Sequence, residues 1–317
     1  MAQSSEHRTE HDIVIQAPPG TVYDLIASVD RWPLVFPPTI HAERLEVDGE
    51  LERIRLWATA NDTVKSWTSL RTLDPLGLTV GFRQEVSQHP VAAMSGEWIL
   101  EPLPEGRTRV RLTHSFRAAD DSTENTAWIN RAIDTNSDRE LAALRTAAER
   151  ESTGAELEFT FEDTVAVQGS AKDVYDFLNE ADQWERRLPH VARVVLTEDS
   201  PGVQSLEMDT RAPDGSVHTT RSVRVCRPYE SIVYKQLRTP ALLSAHTGRW
   251  HVRGTGSTTT VSSAHSVVIA PSAIPAVLGD KASVADARRF LRDALGRNSL
   301  ATMELAKEYA ASRRTAG

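Results

Sequence analysis

Four residues of two types stand out in this chain as groups that could do chemistry. Arg71 and His114 lie in segments where apolar and polar residues alternate, and Arg224 and His265 follow them 153 and 151 residues later. An arginine keeps its charge at any working pH and can stabilise a developing oxyanion. A histidine can accept and return a proton near neutrality. We therefore take these four as candidate catalytic residues, one arginine and one histidine in each half.

The four residues belong to a repeat that runs through the whole chain. The matching pairs are Val22-Tyr23-Asp24 with Val174-Tyr175-Asp176, Trp32 with Trp184, Pro37 with Pro189, Ser69-x-Arg71 with Ser222-x-Arg224, Gly96-x-Trp98 with Gly248-x-Trp250, His114-Ser115 with His265-Ser266, and Asn136-Ser137 with Asn298-Ser299. Solenoid repeats are far shorter, and a unit of this length can bury its own core. The repeat predicts two tandem domains, residues 1–153 and 154–317.

Each copy shows the same order of predicted elements: a strand, a short helix, several strands joined by hairpin-like turns, and a long helix. In the first copy the short helix has an apolar stripe and Thr21 as its predicted N-cap, and the long helix spans 125–150. In the second copy the long helix spans about 284–311. Hairpin spacings favour an antiparallel sheet. We predict the α+β class, with two tandem helix-grip domains, each a curved antiparallel sheet around a long C-terminal helix with an internal cavity.

Strand alternation predicts which side chains point into that cavity, since successive residues face opposite sides of a sheet. His114 shares its face with Val110, Leu112 and Phe116, and His265 has the same parity. The other side chains placed on inward faces are Trp67, Ser69, Arg71, Met94 and Trp98 in the first copy, and Ser222, Arg224, His246 and Trp250 in the second. Asn136 and Asn298 flank the apolar stripe of each long helix.

Each inward polar residue also has a purely structural interpretation. An inward histidine is compatible with a hydrogen-bonded core residue. A buried arginine is expensive unless it is paired, so an ion pair with a core carboxylate is the alternative to a ligand contact. Trp32 and Trp184 are expected to cover the connection after the first helix. Ser69 lacks the G-x-S-x-G context of a nucleophile elbow, as does Ser222.

Composition excludes several classes of function. The net charge of −8 and the pI near 5.7 argue against nucleic-acid binding and disfavour anionic membranes. The single cysteine, Cys226, rules out an intrachain disulfide and a cysteine-based zinc site. The sequence contains no metal motif, P-loop or apolar run of membrane-spanning length. With no signal-peptide core at the start, we expect a cytoplasmic protein.

Taken in order, these motifs resemble the polyketide aromatase/cyclases that act with bacterial type II polyketide synthases. The resemblance rests on Trp32-Pro33, the strand 65–71, Met94-x-x-x-Trp98, His114 and the helix that bears Asn136. It covers the whole chain once per repeat and therefore indicates the di-domain members. It implies the helix-grip fold of the START and Bet v 1 superfamily.

The resemblance also implies residue roles. Arg71 matches a pocket arginine that anchors and polarises a carbonyl or enolate oxygen, and His114 matches a position that is histidine or glutamine in monodomain members. The matching pocket-lining positions are Trp67, Ser69, Met94 and Trp98. The chain departs from the pattern at Thr39, where some members have a tyrosine. In the second copy, Thr220 replaces Trp67 and His246 replaces Met94, which predicts a more polar cavity.

The implied function is cyclisation of the first ring, between the seventh and twelfth carbons, and aromatisation of a ketoreduced poly-β-ketone carried by acyl carrier protein. No cofactor or metal is expected, and other type II polyketide synthase components are the expected partners. One alternative is a non-catalytic START-like carrier of a lipid or aromatic metabolite. Another is an interaction protein with the same fold, which would have a filled interior.

Overall fold

The computed structural model describes residues 6–154, 156–211, 215–255 and 258–314. The chain divides into two compact units, residues 1–155 and 156–317. The division lies two residues after the boundary expected from the repeat. The units are called domain one and domain two below, and each is described by itself.

Domain one is a single antiparallel sheet with one long helix. Its elements are β1 (His7–Ile15), α1 (Pro19–Ala27), α2 (Trp32–Val35), β2 (Thr39–Asp48), β3 (Leu51–Ala60), β4 (Thr63–Asp74), β5 (Thr79–Val86), β6 (Val91–Leu103), β7 (Arg107–Ala118) and α3 (Thr123–Ser152). The seven strands have the order β1-β7-β6-β5-β4-β3-β2. β1 pairs with β7 and not with β2, whereas the other strands pair with their neighbours in sequence as hairpins.

Domain two repeats this arrangement strand for strand. Its elements are β8 (Glu158–Val167), α4 (Ala171–Asn179), α5 (Trp184–Arg187), β9 (Val191–Ser200), β10 (Val203–Arg211), β11 (Val217–Arg227), β12 (Ser231–Arg238), β13 (Leu243–Thr255), β14 (Thr258–Ile269), α6 (Ile274–Leu278) and α7 (Val284–Arg314). Its seven strands have the order β8-β14-β13-β12-β11-β10-β9. The predicted α+β class with two tandem helix-grip domains is confirmed.

The short first helices begin differently in the two domains. The prediction that Thr21 caps α1 is wrong, because the helix begins at Pro19 and Pro18 holds the N-cap position without a side-chain bond. A proline suits the first helical turn, where its missing N–H would be unpaired in any case. In domain two the Ser170 hydroxyl caps α4 and accepts from the amide of Asp173 at 3.0 Å.

The core of each domain lies between the long helix and the concave face of the sheet. In α3 the predicted stripe is buried, with Ile129, Ile133, Leu141 and Leu144 all at most 6% exposed. In the sheet the predicted alternation of β7 is confirmed, since Val110, Leu112 and Phe116 are buried. Burial of these apolar faces is the main force that holds helix and sheet together.

The repeated glycine of each Gly-x-Trp motif has a steric cause. Gly96 lies directly across from Phe82, and a Cβ at Gly96 would stand 2.4 Å from the ring and 2.0 Å from the carbonyl oxygen of Thr113. Gly248 lies across from Tyr234 in the same way, and its Cβ would stand 2.3 Å from the phenol oxygen. The glycine therefore lets an aromatic ring of the neighbouring strand lie across the backbone.

No helix among the described residues is both long and apolar enough to span a membrane.

Candidate active site

Each domain contains a cavity between its sheet and its long helix. In domain one two adjoining pockets of about 150 and 110 Å³ share Trp32, Trp67, Met94 and His114 among their lining residues. In domain two one cavity has a volume of about 130 Å³. Mostly apolar walls with a few polar groups are typical of sites for small ligands. Both predicted cavities are therefore present.

In domain one the predicted arginine is held in a buried ion pair. Arg71 is 1% exposed, and its Nη1 donates to the carboxylate of Glu52, which is 3% exposed and lies directly across on β3. Nη2 donates to the carbonyl oxygen of Ile26 at 2.8 Å. Burial lowers the pKa of Arg71 to about 10, and Glu52 opposes that shift. Arg71 lines the smaller of the two pockets, but its charge is paired with Glu52, which is the ion-pair alternative.

In domain two the matching arginine has no carboxylate opposite it. Arg224 is 2% exposed, and its cross-strand partner on β10 is Gln204. Its Nη2 donates to the carbonyl oxygen of Leu178 at 2.6 Å. Its Nη1 and the Oε1 of Gln204 are buried without a hydrogen-bond partner in the described part of the chain. Burial lowers the pKa of Arg224, and the residue lines the cavity of domain two.

Both arginines lie over the ring of a tryptophan from the segment after the first helix. The guanidinium carbon of Arg71 is 4.9 Å from the Trp32 ring centroid, and that of Arg224 is 5.3 Å from Trp184. The indole N–H of Trp32 donates to Ile26, and that of Trp184 donates to Phe177. The expectation that these tryptophans only cover a connection was incomplete, because both line the cavities and position the arginines.

His114 of domain one projects from β7 into both pockets. Its ring meets the edge of Phe82, with the centroids 5.5 Å apart. Its Nδ1 is buried and has no hydrogen-bond partner within the described residues. Burial lowers the pKa of His114 to about 4, and His11 adds to that shift. The imidazole is therefore neutral near pH 7 and can act as a base.

In domain two the histidine belongs to a cluster of four polar side chains. The Nδ1 of His265 is 3.0 Å from the Nε2 of His246 and 3.3 Å from the phenol oxygen of Tyr234. The Nε2 of His265 is 3.2 Å from the hydroxyl of Ser263. His246, His265 and Ser263 are at most 4% exposed. His246, His265 and Tyr234 line the cavity.

Burial keeps this cluster uncharged. It lowers the pKa of His265 to about 4, although Asp163 opposes the shift. It lowers the pKa of His246 well below the ordinary value, and the neighbouring His265 adds to the effect. It raises the pKa of Tyr234, against the influence of Arg224. Near neutral pH the cluster therefore consists of two neutral imidazoles and a protonated phenol.

The remaining predicted residues also line the cavities. In domain one these are Trp67, Ser69, Met94, Trp98 and Asn136. In domain two they are Ser222, Trp250 and Asn298. The amide of Asn136 donates to the carbonyl of Thr59 at 2.9 Å, so this side chain also ties α3 to β3. Thr39, which stands where some family members have a tyrosine, lines the larger pocket of domain one.

Sequence reasoning missed Glu52 and Tyr234, and it placed Ser263 on the inward face beside His265 without assigning it a role. Comparison of the two copies contained a signal for each, because the structural counterparts are Gln204, Phe82 and Leu112. At each of these three register positions, the two domains differ in the charge or the polarity of the side chain. Across the described residues, no group of three or more histidine, cysteine, aspartate or glutamate side chains could hold a metal ion.

Comparison with known proteins defines the class. Residues 6–149 and residues 167–294 match two families that share the description polyketide cyclase/dehydrase and lipid transport. The granaticin polyketide synthase bifunctional cyclase/dehydratase of Streptomyces violaceoruber is 47% identical over 305 residues, 96% of this chain and 94% of that protein. The actinorhodin polyketide synthase bifunctional cyclase/dehydratase of Streptomyces coelicolor is 47% identical over 313 residues, 96% of each chain.

Two solved structures share the whole architecture. The di-domain ARO/CYC BexL from the BE-7585A biosynthetic pathway has a TM-score of 0.85 at 53% identity, over 96% of this chain and 98% of its own. The di-domain ARO/CYC StfQ from the steffimycin biosynthetic pathway has a TM-score of 0.82 at 36% identity, over 97% and 99%.

The chain belongs to the polyketide cyclase/dehydrase family, as a di-domain aromatase/cyclase of bacterial type II polyketide synthases. The prediction that it is an enzyme, a polyketide cyclase/dehydratase, is confirmed with it.

Proposed function

We propose that this enzyme closes the first ring of a ketoreduced poly-β-ketone, between its seventh and twelfth carbons, and then aromatises that ring. The substrate stays attached to acyl carrier protein, and the reaction takes place in the cytoplasm beside the other synthase components. The relatives named for granaticin and actinorhodin support the pairing of cyclase and dehydratase steps. The site's own geometry supports a role for each domain.

One observation carries the proposal: Arg224 lines the cavity of domain two, and its Nη1 is buried without a hydrogen-bond partner among the described residues. A buried charge is costly in a resting protein when no carboxylate bonds to it directly, even though Glu198 lies within electrostatic reach of Arg224. The cost is offset when an enolate oxygen binds, since negative charge develops there during ring closure. In a site that excludes water, such a contact stabilises a transition state strongly.

The cavity walls contribute by holding one folded conformer. Trp184 and Trp250 in domain two, and Trp67 and Trp98 in domain one, give flat apolar surfaces on which a chain of ketones can fold. Bringing the two reacting carbons together removes much of the entropic barrier. Imidazoles that are neutral near pH 7, His114 in domain one and the His246–His265 pair in domain two, accept the α-proton from carbon. Loss of two waters then gives the arene.

The test is reconstitution of the full chain with a minimal synthase, ketoreductase and carrier protein, followed by mass spectrometry of the products. Wild-type protein is expected to give the aromatised first ring. Arg224→Met is expected to reduce that product by about 100-fold in favour of misfolded shunt products, since an oxyanion-type donor is lost. Arg249→Met, on an exposed position of β13, is the matched control. Absence of the first-ring product with the wild-type chain would refute the function.

A further inference from the structure

We propose that domain two carries a proton relay, from His246 through His265 to Tyr234, that performs the dehydrations, and that domain one has no such relay. This inference rests on the proposed function and assigns its water-eliminating steps to one of the two cavities. Tyr234 and His246 are the residues that would meet the substrate. His265 and Ser263 are positioning residues behind them.

The contacts form one continuous line of hydrogen-bonding atoms. It runs from His246 Nε2 to His265 Nδ1 over 3.0 Å, and from the same Nδ1 to the Tyr234 oxygen over 3.3 Å. On the far side His265 Nε2 meets the Ser263 hydroxyl at 3.2 Å. The rings of His246 and His265 are stacked with centroids 5.3 Å apart. Only the cavity-facing atoms of this line remain available for a ligand.

A proton shuttle needs a ring nitrogen without a partner in the resting protein, and His246 provides one. The Nδ1 of His246 is buried with no hydrogen-bond partner in the described ranges, and the residue lines the cavity. If His246 carries its proton on Nε2 and donates to His265, its Nδ1 is a free base. If His265 donates instead, the Nδ1 of His246 holds a proton that can be given away. A neutral imidazole has one donor and one acceptor nitrogen, so both arrangements satisfy the contact between the two histidines, and the Tyr234 hydroxyl can donate to His265 Nδ1 only in the first.

Domain one lacks every polar partner of this line. At the register positions of Tyr234, His246 and Ser263 it has Phe82, Met94 and Leu112. His114 is therefore an isolated base, whose ring meets the edge of Phe82. An isolated base can take a proton for carbon–carbon bond formation. Phe82, Met94 and Leu112 cannot pass a proton to or from His114, so no relay of this kind forms around it.

The relay balances the elimination of water. His246 Nδ1 takes the proton from the carbon next to the carbinol, the C–H electrons form the C=C bond, and the C–O bond breaks. Tyr234 gives its phenol proton to the departing hydroxyl, which leaves as water. His246 Nε2 then passes its proton to His265 Nδ1, and that nitrogen hands the same proton on to the Tyr234 oxygen, which restores the phenol. His246 returns to its starting tautomer by exchanging one proton with water after product leaves.

The experiment compares Tyr234→Phe and His246→Met with wild type in the same reconstitution. Both new residues are those that domain one has at these positions, so the fold has already accommodated them in one half. We expect ring-closed products that retain one or two waters to accumulate, with the aromatised fraction falling by about 100-fold, the usual size of an acid–base contribution. Tyr229→Phe, a half-exposed tyrosine away from the cavity, is the control.

The outcomes separate the two proposals. Ring-closed but water-retaining product from the variants supports the relay. Wild-type ratios of aromatised product from both variants would overturn the relay and leave the function standing. If wild-type protein forms no first ring, the function itself fails, and the relay fails with it.

A spectroscopic measurement tests the relay without turnover. In ¹⁵N-histidine spectra of the full chain, we expect His246 and His265 to show averaged tautomers and a coupling across the Nε2–Nδ1 hydrogen bond. Tyr234→Phe is expected to shift the Nδ1 signal of His265 and leave His114 unchanged. Two separate, fixed tautomers without coupling would contradict the shared proton.

Discussion

Glu52 and Arg71 stand directly opposite each other on β3 and β4, and they form an ion pair that is almost completely buried. Two charges inside a core depend on each other, because removal of one leaves the other unpaired in a medium of low dielectric constant. The same register position in domain two has Gln204 opposite Arg224. The two arginines thus share a sequence motif, but the facing pairs differ in net charge, because only Arg71 has a carboxylate opposite it.

Glu52→Gln should destabilise domain one by about 3 kcal/mol, because Arg71 keeps its charge and loses its counter-ion. Hydrogen–deuterium exchange of β3 and β4 amides as a function of urea measures this loss. The reciprocal variant is Gln204→Glu combined with Glu198→Gln, which places a carboxylate opposite Arg224 without a second one beside it and should slow exchange in β10 and β11. Equal exchange in Glu52→Gln and wild type would contradict the energetic role of the pair.

The stability of domain one should fall on mild acidification because of His114. Its pKa is about 4 in the folded protein, against 6.5 for an ordinary imidazole. Between these values the unfolded chain binds more protons than the folded one, so folding free energy is lost as the pH falls. The expected loss is about 1–2 kcal/mol between about pH 7 and about pH 5.

Urea unfolding of wild type and His114→Gln at both pH values isolates this contribution. Glutamine does not titrate, so the variant should lose less stability on acidification than wild type does. Parallel curves for the two proteins would mean that His114 does not bind its proton more weakly in the folded state.

Alanine at Gly96 should be more damaging than alanine at Gly248. At Gly96 the added Cβ would meet a backbone carbonyl at 2.0 Å as well as the Phe82 ring, and a β-sheet backbone cannot yield easily. At Gly248 the nearest obstacle is the end of the Tyr234 side chain at 2.3 Å. Overpacking of this kind costs about 1–3 kcal/mol.

Thermal unfolding of Gly96→Ala, Gly248→Ala and Gly20→Ala ranks these sites. Gly20 lies in α1 with open space around it, so alanine there should leave the melting temperature unchanged or raise it slightly. A melting temperature for Gly96→Ala equal to that of Gly20→Ala would show that the backbone contact is relieved at no cost.

Trp184→Leu should destabilise domain two by about 2 kcal/mol, because both the stacking on Arg224 and the indole hydrogen bond to Phe177 are lost. Exchange protection of α4 and α5 amides reports the change. A leucine also opens the cavity wall, so the variant should bind a hydrophobic dye more strongly than wild type. Unchanged protection would show that Trp184 lines the cavity but does not stabilise domain two.

The sequence predicted the fold because the signals for it are local. Apolar periodicity located α3 and α7, and alternation placed His114 and His265 on the inward face. The start of α1 was misplaced because a capping threonine and a first-turn proline compete within the same few residues.

These local signals do not reveal which side chains contact each other across neighbouring strands. Whether Arg71 meets a carboxylate depends on the register of β3 against β4, which a single strand does not reveal. Tyr234 was overlooked for the same reason, since its reach to His265 passes over Gly248 on the strand between them. Register is a property of the assembled sheet.

The matched register of the two sheets makes each half a template for redesigning the other. Four exchanges in domain one, Glu52→Gln, Phe82→Tyr, Met94→His and Leu112→Ser, would place the Gln204, Tyr234, His246 and Ser263 side-chain types of domain two on strands that already have the same pairing. The inverse set would simplify domain two to an arginine neutralised by a carboxylate and an isolated histidine. Because the strands pair in the same way, the contribution of each of these side chains can be measured by exchanging one residue at a time.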